Sequence, residues 1–168
     1  MLTMEVNLAV AADYANVTNE GKLNIMGVLS EVDAAAFPTM LQQIFLAITW
    51  EAGPAEFGAQ KDVRIAFVDA NANVTVKLDL PGFVVPHPSR GGSRVYFNQI
   101  VGMGGLLIDR AGEHAFLLLV GGEEKRRVPL YVNEPTTANT TSPLFARRDF
   151  ESALDKVSRP AKTPDIAS

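Results

Sequence analysis

The sequence predicts an all-β fold, an antiparallel two-sheet sandwich of about eight strands with a short C-terminal amphipathic helix. Two observations indicate the strands: apolar and polar residues alternate with a period of two in short segments, and turn-forming residues separate those segments. A third observation indicates antiparallel pairing, because the connections are shorter than the dozen or more residues that a parallel crossover requires. No segment of residues 1–133 has the apolar period of a long, capped helix.

The predicted strands follow one another along residues 1–133. In the first, Val6, Leu8 and Val10 share one face, while Glu5 and Asn7 point to the other. The third has the cleanest alternation and places Trp50 on its apolar face. The predicted strands after the first cover residues 22–32, 44–50, 63–67, 74–78, 94–100, 113–120 and 125–132.

The last two predicted strands differ in character. Pro129 lies within 125–132, and proline cannot donate to a sheet ladder, so this strand is expected at a sheet edge or at a bulge. Its basic residues, Lys125, Arg126 and Arg127, are typical of an edge protected against aggregation. The strand at 113–120 is apolar on both faces, which predicts that another element covers its outer side.

The C-terminal tail, residues 134–168, is predicted to be a polar linker, a short helix and a frayed end beyond a β domain at 1–133. Ser142 and Pro143 form an N-cap signal, and Pro160 ends the helix. The helix has one apolar face, which we predict to be a partner-binding surface: Ala146, Phe150, Ala153, Leu154 and Val157. The same face fits packing on the chain's own sheet equally well.

Composition limits the classes of partner and of chemistry. Apolar residues make up 47% of the 168 residues and charged residues 20%, which is typical of one globular domain. The absence of cysteine excludes disulfides, thiolate metal ligands and a cysteine nucleophile. The net charge of −4 disfavours a nucleic-acid partner. No apolar run suits a membrane span, and no secretory leader is recognisable, so a cytoplasmic location is expected.

Potential metal and phosphate sites have simpler interpretations. Asp69, Asn71 and Asn73 match the first three positions of a calcium loop, but its glycine and its final glutamate are missing, so a polar hairpin is favoured. The glycine-rich stretch 102–105 lacks the lysine and the helix of a phosphate loop, which favours an irregular strand. We therefore predict no metal site and no cofactor.

Catalytic residues are scarce. The two histidines are His87, in a proline-flanked turn, and His114, on an apolar strand face where a core histidine is usual. No Gly-x-Ser-x-Gly elbow is present. We predict no catalytic residue.

Asp13 and Tyr14 are the loop residues that could contribute to a binding site beside the first connection. The simpler interpretation is turn chemistry, in which Asp13 bonds to nearby backbone and the Tyr14 ring packs. A small-ligand or carbohydrate site could combine this loop with residues 81–92, using Trp50 or Tyr96 for stacking, although Trp50 fits the core better.

Several motifs resemble a family of small bacterial domains of unknown function over about residues 4–133. They are Ala-Asp-Tyr-Ala at 12–15, Glu-Gly-Lys-Leu-Asn at 20–24, Asn-Gln-Ile at 98–100, Gly-Glu-His-Ala-Phe at 112–116 and Val-Pro-Leu at 128–130. The resemblance implies a bacterial, cytoplasmic β-sandwich module. It implies no activity and assigns no site residue.

The leading functional hypothesis is a non-catalytic protein-binding or assembly module that binds a protein partner or a second copy of itself. A small-ligand or carbohydrate-binding sandwich is the alternative, and an uncharacterised hydrolase using His87 or His114 is the third. The tail and the two-sided apolar strand favour the first.

Overall fold

The computed structural model describes residues 4–134, in which the chain forms nine strands and one short 3₁₀ turn, Pro54–Glu56. The strands are β1 Glu5–Val17, β2 Leu23–Leu29, β3 Glu31–Asp33, β4 Thr39–Ala52, β5 Gln60–Val68, β6 Val74–Val84, β7 Val95–Ile108, β8 Gly112–Val120 and β9 Glu123–Asn133. They form a four-stranded sheet in the order β2-β1-β4-β7 and a five-stranded sheet in the order β3-β9-β8-β5-β6. Within residues 4–134, no helix has the length and apolarity needed to cross a bilayer.

Both sheets contribute side chains to one hydrophobic core. From β4 the four-stranded sheet contributes Leu46, Ile48 and Trp50, which are completely buried. The five-stranded sheet contributes alternate residues of β5 and β8, including Phe67 and Phe116. The all-β class, the two sheets and the alternation predicted for 44–50 and 63–67 are therefore confirmed.

The structure has nine strands rather than eight because the predicted segment 22–32 divides at Ser30. The part before Ser30 is β2 in the four-stranded sheet, and the part after it is β3 in the five-stranded sheet. β3 pairs with β9 in parallel, opposite Tyr131 to Asn133, so the pairing is not wholly antiparallel. A parallel pair is possible here because β3 and β9 are far apart in the sequence and need no tight connection.

The prediction that Val6, Leu8 and Val10 share one face is wrong. The register of β1 against β4 shifts between Val6 and Leu8, so the ladder is irregular at Asn7. An inserted residue reverses the alternation. Val6 packs on the core and the next core residues of β1 are Ala9 and Ala11, so Leu8 and Val10 belong to the opposite face.

Residues 12–28, here called the hairpin arm, leave the sheet and return over its outer side. β1 pairs with β4 only as far as Ala12 opposite Phe45, whereas β1 and β2 stay paired as far as Val17 opposite Leu23. At the tip of the arm, the carbonyl of Gly21 accepts a hydrogen bond from Asn98 Nδ2 at 2.8 Å. Asn98 lies opposite Thr49, several residue rows back along the sheet, so the arm must fold back to reach it.

A glycine makes the bend of the arm possible. Gly27 lies opposite Asp13 and has a φ of +65°, in the left-handed region that glycine tolerates best. A Cβ atom at this position would lie 2.2 Å from Asp13 Oδ2. The backbone angle therefore favours glycine, and a side chain at this position would also displace that of Asp13.

We expect Gly27→Ala to destabilise the protein by about 3 kcal/mol, because it adds a steric clash to the cost of a left-handed alanine. Gly21→Ala is the matched control: its φ is +81°, but no atom lies within 4 Å of the added Cβ, so the expected loss is about 1 kcal/mol. Urea denaturation measures both values. Adding Asp13→Ala to Gly27→Ala should recover part of the difference, and equal losses for the two single variants would contradict the clash.

Candidate functional site

The sequence predicted that Asp13 and Tyr14 are loop residues. In the structure both lie in β1, at the base of the hairpin arm. Consecutive strand residues point to opposite faces, so the two side chains separate. Asp13 lines a cavity of about 260 Å³ together with Val32 and Ile44. The Tyr14 ring instead packs edge-on against Phe45, with ring centroids 5.4 Å apart. The two residues do not form one site.

Exposed apolar side chains concentrate on the four-stranded sheet. Of the ten large hydrophobic residues exposed in the described part of the chain, seven belong to its strands: Tyr14, Val17, Met26, Val28, Met40, Tyr96 and Leu107. Three of them neighbour one another on the hairpin arm, and we call them the arm patch: Tyr14, Met26 and Val28. Met26 is 68% exposed and lies opposite Tyr14. The arm patch is therefore an apolar surface open to solvent.

The outer side of the same sheet is covered beneath the arm. Ala12 and Ala47 face away from the core yet are completely buried. Their small side chains allow the arm to approach closely, as does Gly102, whose Cβ position lies 3.5 Å from the Phe45 ring. The arm therefore uses this surface for its own packing, to which Tyr14 contributes through its contact with Phe45.

A cavity of about 430 Å³ lies at the end of the five-stranded sheet, between Arg64, Asp79, Pro81 and the turn at Gly121. Arg64 Nε donates to Asp79 Oδ1 at 2.5 Å, and this hydrogen bond raises the pKa of Arg64 above its ordinary value. The two charges face each other and are half exposed or more. The cavity walls thus carry a satisfied ion pair.

A smaller cavity of about 280 Å³ has a more charged lining. Glu56 is 9% exposed, and its Oε1 accepts a 2.7 Å hydrogen bond from Lys61, whereas its Oε2 has no partner among residues 4–134. On the other side, Lys125 lies 2.9 Å from Glu123 and 3.2 Å from Glu5. The hydrogen bond from Lys125 to Glu123 raises the pKa of Lys125.

His114 is a core residue, as the sequence predicted. It is 1% exposed and its ring stacks on Phe67 at a centroid distance of 5.7 Å. Its Nδ1 lies 3.1 Å from the carbonyl oxygen of Gly112, which can only accept, so Nδ1 carries the proton. Its Nε2 has no hydrogen-bond partner in the described part of the chain. His87 is exposed and packs beside Phe57 instead.

The Asp69 segment forms a turn between β5 and β6. Asp69 Oδ1 accepts from the backbone N–H groups of Asn71 at 2.9 Å and Asn73 at 2.7 Å, and Oδ2 accepts from the Asn73 amide at 3.0 Å. The hydrogen bonds from the Asn73 side chain and backbone lower the pKa of Asp69. This is the polar hairpin that the sequence favoured, with both carboxylate oxygens occupied by the turn itself. No three His, Asp or Glu side chains of residues 4–134 are grouped to hold a metal ion.

Other sequence predictions have mixed outcomes. Residues 102–105 lie inside β7, as expected for an irregular strand, and Gly105 has a φ of +70°. Trp50 is in the core and donates from Nε1 to Gln99 Oε1 at 2.9 Å, so it offers no stacking surface to a ligand. The predicted helix face lies outside the described residues and stays a prediction: Ala146, Phe150, Ala153, Leu154 and Val157.

The chain belongs to a family of unknown function, DUF6941, which matches residues 7–133. The family resemblance seen in the sequence is thus confirmed. A comparison with curated proteins finds no match.

The solved structures that are similar to the chain include the following two. One is an alkylpurine DNA glycosylase, AlkC, from Pseudomonas fluorescens, bound to DNA containing an abasic site analog. The identity is 12% and the TM-score 0.46, over 77% of this chain and 30% of the glycosylase. The other is an immunoglobulin-like protein from Pseudomonas aeruginosa, with 10% identity and a TM-score of 0.42, over 78% of this chain and 97% of that protein.

We expect Asp69→Asn to reduce the loss of stability in acid. The pKa of Asp69 in the folded protein lies below the unfolded value of about 3.9, so its stabilisation is present above that pH and is lost as the pH falls through the folded-state pKa. Thermal melts at about pH 5 and about pH 3 should show a smaller drop for Asp69→Asn than for the wild type. Asp109→Asn makes the same charge change at an exposed position, and an identical drop for both variants would refute the effect.

Proposed function

We propose that the chain is a non-catalytic protein-binding or assembly module built on a β-sandwich. The observation that carries this proposal is the arm patch, where Tyr14, Met26 and Val28 are 47%, 68% and 62% exposed. Contiguous exposed apolar side chains are costly in water and mark interaction surfaces.

The chemistry of the arm patch suits a protein partner. Tyrosine is enriched among residues that dominate binding energy, and methionine adapts its shape to the surface it meets. Covering these side chains would contribute about 25 cal/mol for each Å² of apolar area removed from water. The three residues sit on a packed hairpin, so binding would cost little ordering of the backbone.

The other two hypotheses have weaker support. A hydrolase using His114 would need a route to a side chain that is 1% exposed and stacked in the core. A small-ligand site has a suitable volume in the cavity of about 430 Å³, but the Arg64 and Asp79 charges that line it already satisfy each other. The protein-binding module therefore remains the better explanation.

Val28→Glu tests the arm patch, because a charge placed there must be desolvated when a partner covers it. The matched control is Val84→Glu, which makes the same change at a 53% exposed valine on β6 of the other sheet. Both variants should fold with stabilities within about 1 kcal/mol of the wild type, because both positions are exposed.

Cross-linking and light scattering then compare the three proteins. We expect complexes formed by the wild type and by Val84→Glu to be lost in Val28→Glu. If the three proteins form the same complexes in the same amounts, the arm patch is not their contact surface. If none of them forms a complex, the proposal fails.

The tail gives a separate prediction. If the predicted apolar face of residues 143–158 binds a partner, Phe150→Asp and Leu154→Asp should each weaken that association at least about tenfold, a loss of about 1.4 kcal/mol. Arg148→Asp, which changes a residue off that face, is the control. Binding isotherms unchanged in all three variants would remove the tail from the interface.

A further inference from the structure

β7 forms an open edge of the four-stranded sheet. It runs over 14 residues, Val95–Ile108, and within residues 4–134 it pairs only with β4. Every other residue of such a strand directs its backbone N–H and C=O groups away from its one neighbour. None of the backbone hydrogen bonds formed by the described loops reaches this side. Among residues 4–134, therefore, a long row of β7 pairing groups has no backbone partner.

The sequence of β7 lacks the features that normally protect an edge. Natural edge strands are short, twisted, charged or interrupted by proline, because an unprotected edge pairs with other chains. β7 contains no charged residue and no proline. Its two polar amides are used inside the sheet, where Asn98 bonds with Thr49 and Gln99 accepts from Trp50.

The other edges of the described sheets all carry such protection. β2 is seven residues long and bends at Gly27, and β3 is three residues long with Glu31 and Asp33. β6 contains Lys77, Asp79 and Pro81. β9 is covered by β3 only from Tyr131 onward, and its uncovered part contains Pro129 and five charged residues, Glu123, Glu124, Lys125, Arg126 and Arg127. The contrast singles out β7.

We propose that β7 is an assembly edge that pairs antiparallel with β7 of a second copy of this chain, joining the two four-stranded sheets into one of eight strands. This rests on the assembly function proposed above and adds to it a contact surface separate from the arm patch. A two-fold axis perpendicular to the sheet generates this pairing and closes it, so the assembly stops at a dimer. An uncharged strand can meet its own copy without placing like charges opposite each other.

The regular part of β7 sets the register of the pair. The left-handed φ of Gly105 ends the even alternation, which leaves residues 95–103 with Gln99 at their midpoint. With the axis at Gln99, Tyr96 lies opposite Gly102 of the second copy, and with the axis at Ile100 it lies opposite Gly104. Either register covers the Tyr96 ring, which is 56% exposed in one chain, with a residue that leaves it room.

The absence of cysteine from the 168 residues allows a direct test in the whole of this chain. With the axis at Ile100, Ile100→Cys places two thiols directly opposite each other. With the axis at Gln99, residue 98 lies opposite residue 100 of the second copy, so an equimolar mixture of Asn98→Cys and Ile100→Cys places the thiols within disulfide reach. Tyr96→Cys is the control in the same strand, because its two copies would be about 20 to 27 Å apart along the paired strands. Val84→Cys controls for random collisions from another edge.

We expect a dimer mass for the unmodified chain in light scattering. We also expect intermolecular cross-linking at least ten times faster in Ile100→Cys, or in its mixture with Asn98→Cys, than in Tyr96→Cys or Val84→Cys. The mass is measured on the unmodified chain, so this result does not depend on whether the cysteine variants fold. A monomeric chain at high protein concentration overturns the proposal, as do equal cross-linking rates at all four positions.

The two proposals fail in different ways. If the chain is monomeric but Val28→Glu still abolishes a complex that Val84→Glu retains, the module stands and the β7 pairing falls. A dimer that Val28→Glu abolishes, without cross-links at 98 or 100, also overturns the β7 pairing and assigns the contact to the arm patch. Fast cross-linking of residue 100 with residue 98 or 100 in a dimer unaffected by Val28→Glu supports the β7 pairing and shows that the arm patch is not the dimer contact.

Discussion

Strand β4 is the element on which both faces of the four-stranded sheet depend. Its inner residues, Ile44, Leu46, Ile48 and Trp50, are at most 2% exposed and close the core against the five-stranded sheet. Removing a side chain of this size from such a core costs about 2 to 5 kcal/mol, which is a large part of a small domain's stability. The indole hydrogen bond from Trp50 to Gln99 satisfies the one polar group in this row and ties β4 to β7.

The outer residues of β4 pack against the hairpin arm rather than in the core. Ala47 is completely buried and Phe45 half buried, although both point away from the core. The hairpin arm explains this burial, because it folds back over these residues as far as Asn98. One strand therefore organises two packed layers, a thick core on one side and a thin covered surface on the other.

The sequence predicted those parts of the fold that depend on local pattern. Alternation identified most of the strands, and the apolar setting of Trp50 and His114 correctly placed them in the core. The insertion at Asn7, the transfer of the chain between sheets at Ser30 and the return of the arm could not be predicted, because each depends on a partner strand far away in the sequence. A period of two predicts which residues share a face of a strand, but it does not predict which element packs against that face.

The candidate site was harder to predict for the same reason. Tyr14 was singled out as a loop residue, yet its surroundings come from Met26 across the hairpin and from Phe45 on β4. Met26 and Val28 were not singled out, because an apolar residue in a strand is ordinarily a core residue. The glycine at position 27 was the available signal, since an isolated glycine within a strand often marks a bend.

The single residue between β2 and β3 has a mechanical consequence. Ser30 ends a strand of one sheet and precedes a strand of the other, and its carbonyl accepts a hydrogen bond from the Tyr131 N–H at 2.8 Å. A link this short has no slack, so a force that lifts the arm is transmitted directly to the parallel pair of β3 and β9. We therefore expect that loss of the arm's packing would weaken the pairing of β3 with β9, and that loss of this pairing would weaken the packing of the arm.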